Sequence, residues 1–212
     1  MSLARHSYRR TLVDQFLERH RSLLRGTMLD VGGRRAVKRG DFRPDEAAKV
    51  FYINIDESTR PDLLGDAHRL PLRAQSFDTV LCCETLEHVR DPRVCCAEAY
   101  DVLKPGGRFI FTVPFMYPVH ADPSDYLRFT ADGVRNMCRA FASVDVQPMG
   151  SWLGVLGMFT DFGARRISGG LHFAIVRKVL RAVGAFLCRL DARGVAARAE
   201  FTTGYFCIAV KG

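Results

Sequence analysis

Four acidic residues stand at or just beyond short apolar stretches of this chain: Asp30 in "TMLDVGG", Asp56 in "VFYINID", Asp66 in "GDAHRLPL" and Glu84 in "FDTVLCCE". A phosphate-binding loop would avoid such a concentration of negative charge. A ligand with hydroxyls, an exocyclic amine and a positive centre would favour it. Asp56 is suited to accept hydrogen bonds from ribose hydroxyls. Asp66 can accept from an adenine amine, while the Ala67 backbone amide donates to a ring nitrogen. A second group lies in "PFMYPVHADPSDYLRFT", which gathers His120, Asp122, Asp125, Tyr126 and Arg128 within nine residues. There His120 could act as a general base for a hydroxyl acceptor, with Asp122 orienting its ring. His88, directly after Glu87 in "LEHV", is an alternative base. The plainer reading keeps an Asp125–Arg128 ion pair that only secures the loop, and gives His68 a structural role. His-x-Asp-x-x-Asp also supplies hard ligands, but no metal is assigned.

These residues need a frame. Residues 27–31, 50–56, 77–84, 108–114 and 203–211 read as strands, with 142–150 extended. Helices are expected over 8–24, 91–107 (Asp91 as N-cap, Pro92 at the first position) and 130–141 (Thr130 as N-cap). A short helix at most is expected at "PDEAAK". Short strands alternating with helices predict an α/β fold with a mostly parallel sheet covered on both faces. In such sheets ligands bind beyond the carboxyl ends of the strands, which is where the acids stand.

The 212 residues suit one domain, and the net charge of +8 is concentrated at the termini. Residues 1–25 hold six Arg against two acids, and residues 151–212 hold nine Lys or Arg against three. Without a basic tract interleaved with aromatics, a nucleic-acid partner is not expected. Seven cysteines in two adjacent pairs and three singles, with no C-x-x-C, argue against a disulfide framework and a zinc site. The expected location is cytoplasmic, with peripheral contact at the inner membrane face. That contact is assigned to 170–191, an apolar helix with Arg177, Lys178, Arg181 and Arg189 on one side. Covering the sheet, or a protein partner, is the competing reading of that helix. The aromatic stretch 151–163 could close an acceptor pocket or extend the apolar surface.

The succession "MLDVGG", "INID", "GDAHRLP", "SFDTVLCCETLEHV" and "VLKPGGRFIFTVP" resembles the class I S-adenosylmethionine-dependent methyltransferases, over about residues 26–150. The resemblance implies a Rossmann-like, seven-stranded sheet whose last strand is antiparallel, and S-adenosylmethionine as cofactor. It implies that Asp30, Gly32 and Gly33 shape the loop under the methionine end, and that Asp56 holds the ribose. Asp66 and Ala67 would hold the adenine, and Glu84 would lie beside the sulphonium. It divides the chain into an N-terminal helix (1–25), the cofactor-binding core (26–150), a helical insertion (151–202) and a final core strand (203–212). Residues 114–130 are similar to a branch often encoded with polysaccharide and glycolipid enzymes. The expected acceptor is therefore a small molecule, a sugar or a lipid-linked glycan, methylated at oxygen. The departure is Arg34-Arg35, where the family commonly has glycine or small residues. A non-catalytic module that kept the fold but lost the cofactor is the alternative. A nicotinamide-dependent oxidoreductase would need further loop glycines that Arg34 and Arg35 do not supply.

Overall fold

The computed structural model describes residues 6–35, 40–44, 49–195 and 200–212, so most of "PDEAAK" lies outside the described residues. Seven strands form one sheet: β1 Thr27–Val31, β2 Lys49–Asn54, β3 Leu63–Leu64, β4 Phe77–Cys83, β5 Leu103–Pro114, β6 Ser143–Met149 and β7 Gly204–Val210. Their spatial order is β3-β2-β1-β4-β5-β7-β6. Pairings from β3 through β5 are parallel, and β7 runs antiparallel to both of its neighbours. The last strand is thus antiparallel, as expected, and it sits inside the sheet with β6 at the edge. Strand order reverses between β1 and β4, which opens a crevice at their carboxyl ends.

Period-two alternation distributes the apolar residues between two cores. Leu29, Val80, Cys82, Phe109 and Phe111 pack on one face with α2 (Pro92–Val102) and α3 (Ala131–Met137). Met28, Leu81, Ile110 and Phe206 pack on the other with Leu12, Val13, Phe16 and Leu17 of α1 (Tyr8–Arg19). Full burial of each such side chain stabilises the fold by about 1.5–3 kcal/mol. The N-caps are as the sequence predicts: Asp91 accepts from the Arg93 amide and Thr130 from the Gly133 amide. Both helices end earlier than expected. Leu103 already pairs with Phe77 in the sheet, and a register shift carries Lys104–Gly107 past it. Gly106 supplies the left-handed turn there, with φ +73°.

Between β6 and β7 the chain forms two helices, α4 (Trp152–Arg166) and α5 (Leu171–Ala192). Their backbones nearly touch, because a Cβ on Gly157 would lie 2.7 Å from the Gly184 carbonyl oxygen. Asp191 ties this pair to the rest, accepting from the Tyr8 hydroxyl and from the hydroxyl and amide of Ser151. Only Gly184, Cys188 and Asp191 of α5 are buried, so its apolar face does not cover the sheet. Leu171, Ile175, Val179, Val183 and Phe186 are exposed. No helix among the described residues is long and apolar enough to cross a membrane.

Candidate functional site

The loop after β1 requires its two glycines. Gly32 has φ +74°, and a Cβ there would overlap the Thr85 hydroxyl. A Cβ on Gly33 would overlap the Asp30 carboxylate. The two arginines that follow part company. Arg35 turns away, lying over the Tyr52 ring at 5.1 Å and bonding Asp62 at 2.5 Å. Arg34 stays at the crevice, 3.1 Å from Asp122, with its Nε buried and without a hydrogen-bond partner.

A cavity of about 940 Å³ opens at the carboxyl ends of β1, β2 and β4, lined by Gly32, Asp56, Asp66, Ala67 and Glu84 among others. Asp30 and Gly33 line a smaller cavity that shares Gly32 and Arg34 with it. Asp56 caps a short 3-10 turn, accepting from the Ser58 amide at 2.9 Å. The Ser58 side chain and then its amide, with Arg34 nearby, hold the Asp56 carboxyl below the usual range. Asp66 accepts from the His68 amide, which lowers its pKa in the same way. His68 in turn accepts from the Asp91 amide at 3.3 Å, which gives it a structural place between the cavity wall and α2.

Glu84 stands at the end of β4 in a left-handed conformation, φ 51°. Its carboxylate is buried and clamped by Arg9, with Nε to Oε2 at 3.0 Å and Nη2 to Oε1 at 2.7 Å. Thr112 donates to the same group at 2.9 Å. Burial alone would raise the pKa, but the Arg9 charge and hydrogen bonds outweigh it and hold the group at about 2. Arg9 does not stand out in the sequence, where it is one of six Arg within residues 1–25. It is 2% exposed. The available signal was position: Leu12, Val13 and Phe16 lie three, four and seven residues on, along the buried face.

Around His120 the structure gives a different partner from the expected one. Asp122 does not orient the ring; the segment Asp122-Pro123-Ser124 lines the large cavity, and Asp122 bonds Arg34 there. Asp125 takes that place. Its Oδ2 accepts from the His120 amide at 2.7 Å and lies 3.5 Å from Nδ1. Arg128 bonds Asp125 at 2.5 and 2.7 Å, so the expected loop ion pair is present. Arg128 holds Asp125 at about 2. Burial, and then neighbouring His88, lower the His120 pKa. His120, Arg9, Glu84 and Tyr117 line a cavity of about 380 Å³ that shares Arg34, Glu84 and Asp122 with the large one. His88 lines the large cavity, and its ring meets His120 edge-on at 5.0 Å.

Beneath both imidazoles lies Glu87, which the sequence reading named only as the neighbour of His88. It is 0% exposed, and neither carboxylate oxygen has a hydrogen-bond partner. Burial, reinforced by the Glu84 charge, pushes its pKa up to about 8. A further cavity, of about 1140 Å³, runs between the start of α1 and the α4–α5 pair and shares Ser7 and Tyr117 with the 380 Å³ cavity at His120. Phe162 contributes to its wall, with its ring edge-on to Tyr117 at 5.8 Å. Trp152, Leu156 and Phe159 instead extend the exposed apolar surface.

Comparison with known proteins agrees with this architecture. Residues 35–111 match the family model described as a methyltransferase domain. A demethylmenaquinone methyltransferase of Renibacterium salmoninarum is 27% identical over 137 residues, covering 56% of this chain. The chain spans 57% or less of the length of that relative and of the next two curated matches. A methyltransferase from Archaeoglobus fulgidus, described as S-adenosylmethionine-dependent, superposes with a TM-score of 0.56 at 15% identity, over 95% of this chain and 94% of its own. The [4+2]-cyclase SpnF superposes with a TM-score of 0.57 at 21% identity, over 95% of this chain and 80% of its own. These structural likenesses are of fold, and a fold that also carries a cyclase does not choose its reaction.

Proposed function

We propose that the chain transfers a methyl group from S-adenosylmethionine to a small-molecule acceptor, a reading supported by the match of residues 35–111 to the methyltransferase-domain model and by the Rossmann-like sheet. One observation carries the reading: two cavities meet at Glu84, one walled by Gly32, Asp56, Asp66 and Ala67, the other by His120 and Tyr117. The first has the donor set the cofactor needs. Asp56 would take the ribose hydroxyls, Asp66 and the Ala67 amide the adenine, and the Asp30-Val31-Gly32-Gly33 turn the methionine end. Arg34 Nε, buried without a partner, would meet the cofactor's carboxylate, so the departure from the family loop becomes an anchor. Bound there, S-adenosylmethionine supplies an already activated methyl group, and the chain supplies mainly alignment.

The acceptor we propose is a hydroxyl of a sugar or lipid-linked glycan, entering through the second cavity. A hydroxyl must lose its proton, and His120 is the half-exposed imidazole at that cavity. Its lowered pKa keeps it neutral, and so able to accept, at neutral pH. His88 is the alternative. The non-catalytic reading loses its main support, since Arg35 faces away from the crevice and Arg34 leaves the cavity open. Titration calorimetry with S-adenosylhomocysteine decides between the two. Micromolar binding that weakens at least about tenfold in Asp56→Ala supports the enzyme; no heat at millimolar ligand supports the module.

Peripheral contact of the α4–α5 pair with an anionic bilayer is the second element of the proposal. The exposed residues of α5 form an apolar strip, with Lys178, Arg181 and Arg189 exposed beside it. Apolar insertion with flanking cations suits an anionic headgroup region. Co-sedimentation with phosphatidylglycerol vesicles, absent with phosphatidylcholine and lost in Val179→Asp/Phe186→Asp, is the expected result. Equal binding by that double variant would remove the assignment.

A further inference from the structure

We propose that Glu87, His88 and His120 form a binding site for a divalent transition-metal ion, with coordination positions open toward the acceptor cavity. One ligand atom from each residue lies within 4.8 Å of the other two. His88 Nε2 is 3.8 Å and His120 Nε2 3.7 Å from the same carboxylate oxygen, Glu87 Oε1. These separations are too long for hydrogen bonds. They lie within the roughly 4.4 Å that two donors at about 2.0–2.2 Å from one ion can span, and a small inward turn of the imidazoles brings all three donors into range.

Three further observations point to a ligand. Both Glu87 oxygens and His88 Nε2 are buried without a hydrogen-bond partner. A buried carboxylate left in that state is costly, and folded proteins rarely retain one without a use. The outer nitrogens of the imidazoles are also set. His88 Nδ1 lies 2.5 Å from the Ser124 carbonyl, which can only accept, so the proton sits on Nδ1 and the lone pair on Nε2. His120 Nδ1 faces the Pro118 carbonyl at 3.4 Å, again turning Nε2 toward Glu87. Metal-binding histidines are oriented in this way, by a carbonyl or carboxylate on the far nitrogen. Finally, the rings stand nearly perpendicular, 79° apart, rather than stacked, and both present Nε2 to Glu87 Oε1.

The donor set selects the ion. Two imidazoles and one carboxylate suit zinc, iron, cobalt or nickel; magnesium and calcium prefer oxygen throughout. Three protein ligands leave at least one position open, and His120, 35% exposed at its side chain, faces the cavity. An acceptor oxygen in that position would lose its proton more readily. That consequence rests on the methyl-transfer reading; binding of the ion does not. Loading and a base role for His120 exclude each other, because both use Nε2.

The test uses untagged, full-length protein stripped with a chelator and titrated with cobalt(II), then zinc(II). The expected result is one ion per chain, visible cobalt bands of nitrogen–oxygen type, and proton release on binding. Glu87→Gln and His120→Ala should each weaken binding at least about tenfold. His120→Ala alters a half-exposed group, so it keeps the test informative if the Glu87 variant fails to fold. Unchanged affinity in His120→Ala, a thiolate-to-cobalt band pointing to the cysteines, or no stoichiometric binding would each overturn the site. S-adenosylhomocysteine heats measured on the same samples are independent of these outcomes, so failure of the metal site and failure of the cofactor reading are told apart.

Discussion

The two walls of the crevice handle charge differently. On the wall that Asp56 and Asp66 form, both take hydrogen bonds from residues two positions further along, Ser58 and His68, and stay near water. On the wall toward His120, Glu84 finds its counter-ion 75 residues away at Arg9, and His88 is oriented by Ser124, 36 residues away. Glu84 and Glu87 sharpen the contrast. Both are buried, three residues apart, yet Arg9 holds one at about 2 and isolation pushes the other to about 8. Local turns therefore suffice to present carboxylates to a ligand. A buried carboxylate needs a partner that only the folded chain, or a bound cation, can bring.

The largest effect that could break this contrast comes from Arg9→Ala. Removing one partner of a buried pair leaves an uncompensated charge, and about 3–5 kcal/mol of stability should be lost. Urea unfolding that shows less than about 1 kcal/mol would mean Glu84 is not dependent on Arg9. A smaller effect is expected with acid. The folded pKa of Glu84, about 2, lies below the ordinary value near 4.3. Its contribution is therefore fully present above that ordinary value and is lost as pH falls toward 2. Stability measured between pH 5 and 2 should drop less steeply in Glu84→Gln than in the wild type; parallel slopes would refute the assignment. The smallest effect belongs to the exposed Arg35–Asp62 pair. Arg35→Ala should leave the urea midpoint close to the wild-type value, as expected of a solvent-exposed ion pair, and leave S-adenosylhomocysteine binding unchanged, whereas Arg34→Ala should weaken that binding. Equal effects of the two substitutions would erase the distinction between an arginine facing the crevice and one facing away.

The same contrast marks how far the residues could be read in advance. β1 was expected over 27–31 and is Thr27–Val31, because an apolar run bounded by a glycine turn is a local signal. The caps Asp91 and Thr130 were legible for the same reason. Five of the seven proposed cofactor residues line one cavity, since each lies within three residues of a strand end. Asp122 was misread because spacing suggested a partner for His120, whereas the fold of residues 118–128 brings Asp125 to the ring. Arg9 carries no distinguishing mark in the sequence, because a helix pattern records which face is apolar, not which single charge that face buries. The apolar side of α5 was open to two readings, since a hydrophobic strip looks the same in sequence whether it faces the sheet or the outside.

What the order of residues determined unaided was the alternation of strands and helices and the row of acids at the strand ends. These depend on side-chain period, capping and turn chemistry within a few positions. Only the tertiary structure decided the state of each buried charge: that Arg9 reaches Glu84, that Arg34 and Arg35 diverge, and that two imidazoles converge on Glu87. Those outcomes depend on distances between segments far apart in the chain, and on the removal of water once the segments pack.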